Sequence, residues 1–319
     1  VETEAGSQNL TYDHLVYALG SAVESDSVPG VSQYAYSMTP QGPRSAETLR
    51  EVLPALAKTG GRVVVAGGGL TGIECAAQIK GVYPALQVSI VTEGDCGVFP
   101  SRDVQDYMRD SLRRQDVQVY ENRQVTALTA HELRLADGSA MPYDVCVWAA
   151  GFHGLPLAAE AGIATNERGR ILVDPYLRSV SFPDIFAVGD AALPTGPIGA
   201  PPRMSAVFAL TTGAHVGDNL SRTINGKPQK PFGFSTFGQA VALGPDNAIG
   251  FNTFPNDRPV WPRFRGKFAA NLRSFFASLL MFLFVMERRV PGSFFWFGKN
   301  RHVPVSAASP LKAKSQQTA

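Results

Sequence analysis

Arg62-Val-Val-Val-Ala-Gly-Gly-Gly-Leu-Thr-Gly-Ile-Glu74 is the stretch from which the rest of the chain can be read. Val63 to Ala66 is a short apolar run that reads as a buried strand, and it leads directly into Gly67, Gly69 and Gly72, a G-x-G-x-x-G spacing. Leu70, Ile73, Ala76, Ala77 and Ile79 then recur with helical period. Strand, glycine turn and helix in that order are the context in which this motif binds a dinucleotide. Gly67 permits the tight turn, Gly69 lets backbone approach a pyrophosphate, and Gly72 lets helix and strand pack closely. The helix N-terminus, Leu70 and Thr71 included, offers unpaired N–H groups and a positive dipole end to phosphates. A second strand, Val88 to Thr92, ends at Glu93, 21 residues after Gly72. A carboxylate there accepts hydrogen bonds from both ribose hydroxyls of NAD(H) and repels the extra phosphate of NADP(H). An ordinary tight strand-to-helix turn explains the glycines alone but not the whole succession.

The 319 residues leave room for two domains. A hydrophobic content of 45% and a charged content of 18% belong to a globular protein with a real core. The formal net charge of +2 gives no electrostatic case for nucleic acid. Cys75, Cys96 and Cys146 form neither a C-x-x-C pair nor a metal-ligand spacing, so no metal is expected. Cys75 and Cys146 lie in apolar runs, where buried thiols are common, and a reducing, cytoplasmic setting fits them. The first residue is Val1 and no targeting segment can be read, so the chain is expected to be the C-terminal part of something longer.

Outward from the glycine turn, Ser45 to Lys58 predicts a helix with Leu49, Val52, Leu53 and Leu56 on one side, stopped by Thr59-Gly60-Gly61. Tyr83-Pro84 ends the helix after the turn, Val104 to Gln115 predicts another, and Val117 to Tyr120 a strand. Gln124 to Thr129, Glu132 to Leu135 and the Asp137-Gly138 turn predict a small antiparallel ribbon. Asp144 to Ala149 reads as a buried strand ended by Gly151. Strands alternating with helices imply an α/β fold, a mostly parallel, doubly wound sheet. Beyond it, Gly169 to Asp174 and Phe182 to Ala192 predict strands, the second running into Gly189-Asp190. Met204 to Ser221 predicts a long helix, with further strands near Phe234 and from Ala248 to Phe251. The Ser/Ala/Lys/Gln-rich tail from 306 to 319 is expected to be disordered.

Two half-motifs flank the glycine turn. Tyr12-Asp-His-Leu-Val-Tyr-Ala-Leu-Gly-Ser21 resembles a segment of the flavoprotein reductases that carry two dinucleotide-binding domains. Asp184-Ile-Phe-Ala-Val-Gly-Asp190 resembles the second flavin signature of the same superfamily, and Ala149-Ala-Gly-Phe152 its crossover out of the NAD domain. In family order and covering Tyr12 to Asn219, they mark a resemblance to the FAD-dependent pyridine nucleotide oxidoreductases, on the side of the type II NADH dehydrogenases. The resemblance implies Rossmann-like FAD- and NAD-binding domains and hydride transfer from NADH to FAD, then on to a small-molecule electron acceptor. It implies an FAD-binding domain in two parts, 1–45 and 153–229, an inserted NAD(H)-binding domain over 46–152, and a small C-terminal α+β subdomain over 230–305.

The same resemblance implies site residues. Glu74, second after Gly72, would lie near the nicotinamide between the cofactors; an exposed first-turn glutamate is the plainer alternative. Gly151 joins the NAD set. Gly20, Gly189 and Asp190 would hold FAD, Asp190 accepting from the ribityl chain unless it serves as a helix cap. Arg203, Met204 and Ser205 would aim a helix N-terminus at the flavin edge that becomes negative. Two departures stand out. The family's own glycine turn for the FAD ADP moiety, a half-domain on the order of 100 residues, has no counterpart before Tyr12. Thr211-Thr212-Gly213 also stands where quinone-reducing members tend to carry Gln-Gln-Gly, which leaves quinone as the acceptor open. A nucleotide-binding relative without productive turnover is the competing class.

Phe268 to Met286 reads as a strongly apolar helix with Arg263, Arg265, Lys267, Arg273, Arg288 and Arg289 around it. Asn271, Arg273 and Ser274 leave the unbroken part too short to span a bilayer. A core or homodimer-interface helix is the leading expectation, a peripheral seat on the inner face of the cell membrane the alternative.

Overall fold

The computed structural model describes residues 2–3, 6–24, 27–39, 41–194, 203–233, 237–254 and 258–294. The expected strand centre at Phe234 and the tail from 306 lie outside the described residues. In chain order the principal elements begin with β1 (Leu15–Tyr17), β2 (Ser21–Val23), α1 (Ala46–Lys58), β3 (Arg62–Ala66), α2 (Leu70–Val82), β4 (Gln87–Val91), α3 (Arg102–Arg114) and β5 (Gln118–Tyr120). A ribbon follows, β6 (Val125–Leu128), β7 (Glu132–Leu135) and β8 (Ala140–Pro142), then β9 (Val145–Trp148), β10 (Phe152–Gly154), β11 (Ile171–Val173), β12 (Ile185–Ala187), β13 (Ala192–Pro194) and α4 (Ala206–Ile224). The last described elements are β14 (Phe237–Ala242), β15 (Ala248–Thr253), β16 (Pro259–Arg265) and α5 (Gly266–Arg289).

Contacts within the chain gather into two units, one of residues up to Gly20 with Gly154–Phe237, the other of Ser21–His153 with Gly238–Phe295. In the second unit, β9, β3, β4 and β5 form a four-stranded, all-parallel sheet in that order. Strand β3 needs a core on both faces, as parallel strands do. Val63 and Val65 enter one cluster with Ile73 and Ala77 of α2 and Met108 and Leu112 of α3. Val64 and Ala66 enter another with Leu133, Tyr143 and Trp148, where the β8-β7-β6 ribbon takes the place of a helix layer. A second antiparallel sheet, β14-β15-β16, packs Val241, Leu243, Ile249 and Phe251 into the first cluster. Gln115 of the loop after α3 and Gln78 of α2 fasten it by donating to Leu243 O and Gly244 O.

In the first unit, the two half-motifs that flank the glycine turn pair with each other. Leu15, Val16 and Tyr17 lie in parallel register with Ile185, Phe186 and Ala187. Strands β11 and β13 form a second parallel pair. Helix α4 begins at Ala206, two residues later than expected, because the Ser205 side chain caps it by accepting from Phe208 N–H.

The core expectation for the apolar helix is corrected. Helix α5 runs 24 residues and only Ala269 is buried, while Phe275 and Met281 are 59% and 63% exposed. All five of its phenylalanines, Phe268, Phe275, Phe276, Phe282 and Phe284, are exposed.

Candidate functional site

The glycine turn has the geometry that its spacing demands. Gly67 has φ +122°, and a Cβ there would lie 2.8 Å from the Ala149 carbonyl. At Gly72 a Cβ would meet Gly67 O at 1.9 Å, so only glycine lets α2 pass this close to β3. Gly69 is the opposite case, since a Cβ there would meet nothing within 4 Å. It is also the N-cap of α2 and supplies no side-chain cap. The first helical bond is Ile73 N–H to Gly69 O, so the Leu70, Thr71 and Gly72 amides precede the ladder and face the open side of the turn. Amides left free in this way can receive phosphate oxygens.

Two carboxylates were expected beside the turn. Glu93 is exposed, and β4 ends two residues before it. The side chain that meets the turn is Thr92, whose Oγ1 lies 2.8 Å from where a Gly68 Cβ would stand. Thr92 was not foreseen, although its position one step past the strand end was a usable signal. Glu74 is not an exposed first-turn residue. Its Oε1 accepts from Ala242 N–H of β14 at 2.7 Å, and Arg273 of α5 approaches it to 3.7 Å. Burial pushes its carboxyl above the usual range, with the Ala242 N–H and the Arg273 charge pulling the other way. Gly151 has φ +72° and its carbonyl accepts from Glu24 N–H at 3.2 Å.

In the first unit, Gly189 (φ +63°) and Asp190 sit in a short 3₁₀ turn after β12. The fully buried Thr212 of α4 holds the turn, with Oγ1 accepting from Gly189 N–H at 2.8 Å and donating to Phe208 O at 2.7 Å. The buried Arg170 braces it from the other side, donating to Asp190 O and Ala192 O. Burial lowers the Arg170 pKa, and the Asp190 charge opposes that shift. Neither Thr212 nor Arg170 was foreseen. Arg203 and Met204 are half-buried immediately before the Ser205 cap of α4. Gly20 has φ +71° and nothing within 4 Å of a built Cβ. Tyr17 Oη and His14 Nδ1 are buried without a hydrogen-bond partner among the described residues. Buried orphan atoms of this kind fit a polar ligand lying against β1 and β12.

An α/β fold with a glycine-turn nucleotide cradle, and a second, separately built turn on paired strands from both sides of it, defines a dinucleotide-handling protein. The family model for pyridine nucleotide-disulphide oxidoreductases matches residues 1–215, and the chain belongs to that family. It is 25% identical over 257 residues to the demethylphylloquinone reductase NdbB of Synechocystis, covering 78% of this chain and 63% of that one. An NADH dehydrogenase-like protein of Mycobacterium tuberculosis is 30% identical over 212 residues, 60% of this chain and 51% of the relative. The structure of NDH2 from Plasmodium falciparum in complex with NADH superposes with a TM-score of 0.67 at 15% identity, covering 90% of this chain and 80% of that one. The chain therefore spans about half to two thirds of the length of these curated relatives.

Proposed function

We propose that this chain belongs to an FAD-dependent oxidoreductase that takes hydride from NADH and delivers electrons to a quinone-class acceptor. The open side of Gly69, facing the uncapped amides of α2, carries the reading. Bound NADH and FAD would supply the redox chemistry; the protein's part is to seat, orient and shield them. Leu70, Thr71 and Gly72 would donate to the NADH pyrophosphate, and Glu93 and Gly151 would complete that site. Glu74 would hold a negative charge at the nicotinamide end. Gly20, Gly189 and Asp190 would seat FAD, with Arg203, Met204 and Ser205 presenting the positive end of α4 to its ring. In this reading 46–152 handles NADH, the segments 1–45 and 153–229 handle FAD, and 230–305 is an accessory subdomain.

The names of the relatives support a quinone acceptor, and the exposed face of α5 suits a lipid-dwelling one. Helix α5 would lie in the interface of the inner face of the cell membrane, with Lys267, Arg288 and Arg289 near headgroups. A homodimer through the same face is the competing occupant. The test is anaerobic addition of NADH to the full-length, flavin-loaded protein. Bleaching of the flavin spectrum and its recovery on adding a short-chain quinone are expected. A flavin that stays yellow with NADH overturns the enzyme reading in favour of a nucleotide-binding relative without turnover.

A further inference from the structure

Helix α5 exposes an almost continuous apolar surface, yet it carries a full charge in its interior at Arg273. A charge there is costly on a lipid-facing helix, and the structure gives it a partner. Arg273 Nη2 lies 3.7 Å from Glu74 Oε1, the same oxygen that accepts from Ala242 N–H at 2.7 Å. Four other cations on the elements around Glu74 are engaged elsewhere. Arg263 and Arg265 pair with Asp103, Lys267 with Asp246, and Lys80 donates to the carbonyls of Pro84 and Leu86. Strands β14 and β15 carry no ionisable side chain. Among the described residues, Arg273 is the cation paired with Glu74.

We propose that Arg273 is a positioning residue for Glu74, clamping its carboxylate against the Ala242 amide and so tying helix α5 to the N-terminal half of the nucleotide helix α2. The proposal rests on the reading of Glu74 as part of the NADH site. It accounts for a charge that interrupts an otherwise lipid-compatible surface. It also accounts for a carboxylate in a partly desolvated position, where an unpaired anion would be unfavourable. The interaction is half-exposed on the Arg273 side, so its worth lies in fixing the carboxylate rather than in stability.

The experiment uses the full-length, flavin-loaded protein labelled with glutamate carrying ¹³C at the side-chain carboxyl, with the Glu74 resonance assigned by its loss in E74Q. Wild type, R273Q and R273K are titrated. Removing the cation should move the Glu74 midpoint to higher pH in R273Q, and R273K should bring it back toward wild type. The pH profile of flavin reduction by NADH should shift in the same direction. An unchanged Glu74 midpoint in folded R273Q overturns the proposal. So does a variant that loses only binding to anionic phosphatidylglycerol vesicles, since Arg273 would then be a headgroup contact. If wild type is not reduced by NADH, the oxidoreductase reading fails and the role at the site falls with it. A midpoint shift in that case would still establish the clamp, which keeps the two failures apart.

Discussion

Gly69 and Gly72 stand three residues apart in one turn, and they should fail differently when a methyl group is added. In G72A the new Cβ would sit inside the Gly67 carbonyl, and neither backbone can yield without moving α2 off β3. A loss of about 3 kcal/mol is expected in urea unfolding, with nucleotide binding lost alongside. In G69A the methyl meets no protein atom, so stability should change by less than about 0.5 kcal/mol. NADH affinity should nevertheless fall by about tenfold, or 1.4 kcal/mol, because the methyl occupies the side by which phosphate approaches. Isothermal titration with NADH separates the two effects. Glu74 gives a third expectation. Burial raises its folded-state pKa, so the folded protein holds that proton more tightly than the unfolded chain does. The stability this confers is present at low pH and is lost as pH rises through the folded pKa. E74Q should therefore melt above wild type at pH 8, and the difference should vanish below the ordinary carboxylate range, about pH 4. The glycine roles could be read from spacing because each acts within its own turn. Thr212 and Arg170 could not, because each is defined by a partner brought from far along the chain, Gly189 and the Asp190 carbonyl respectively.

At the scale of elements, pattern gave the type of helix α5 but not its surroundings. An apolar helix in a core and one on a lipid surface have the same composition, and only the packing separates them. Strand β16 was missed altogether. Pro259 and Pro262 remove two ladder donors, and its side chains are half-exposed or exposed, so no apolar alternation announces it. The exposed face of α5 leads to a prediction that a core helix would contradict. Replacing Phe275, Phe276 and Phe282 together by serine should abolish sedimentation with anionic vesicles. The melting temperature should hardly change, because three surface substitutions cost little. The same changes in a packed core would cost about 3 kcal/mol each or more and unfold the protein. If size-exclusion shows a wild-type dimer that the triple variant dissolves, with no vesicle binding by either, the face is a homodimer interface.

For the whole molecule, the pairing of β1 with β12 is the fact that organises the rest. Strands β1 and β12 pair in register although the whole segment that carries the glycine turn lies between them in the chain. This was legible only through family order, since neither three-residue strand is distinctive by itself. The family also bears on how electrons can travel, because its name couples pyridine nucleotides to disulphides. In this chain, thiols are poorly placed for such a relay. Cys75, Cys96 and Cys146 are all free, and Cys96 and Cys146 are buried. Burial pushes Cys75 and Cys146 up to about 12 and Cys96 up to about 11, where thiolate is negligible at neutral pH. An aromatic disulfide reagent at pH 8 should therefore label fewer than one thiol per native chain within minutes and all three in denaturant. C75A/C96A/C146A should keep NADH-driven bleaching of the flavin within about threefold of wild type, less than 1 kcal/mol of barrier. Rapid labelling of these three positions in the native protein, with loss of flavin reduction in the triple variant, would instead put one of these thiols on the electron path and require its side chain to become exposed during turnover.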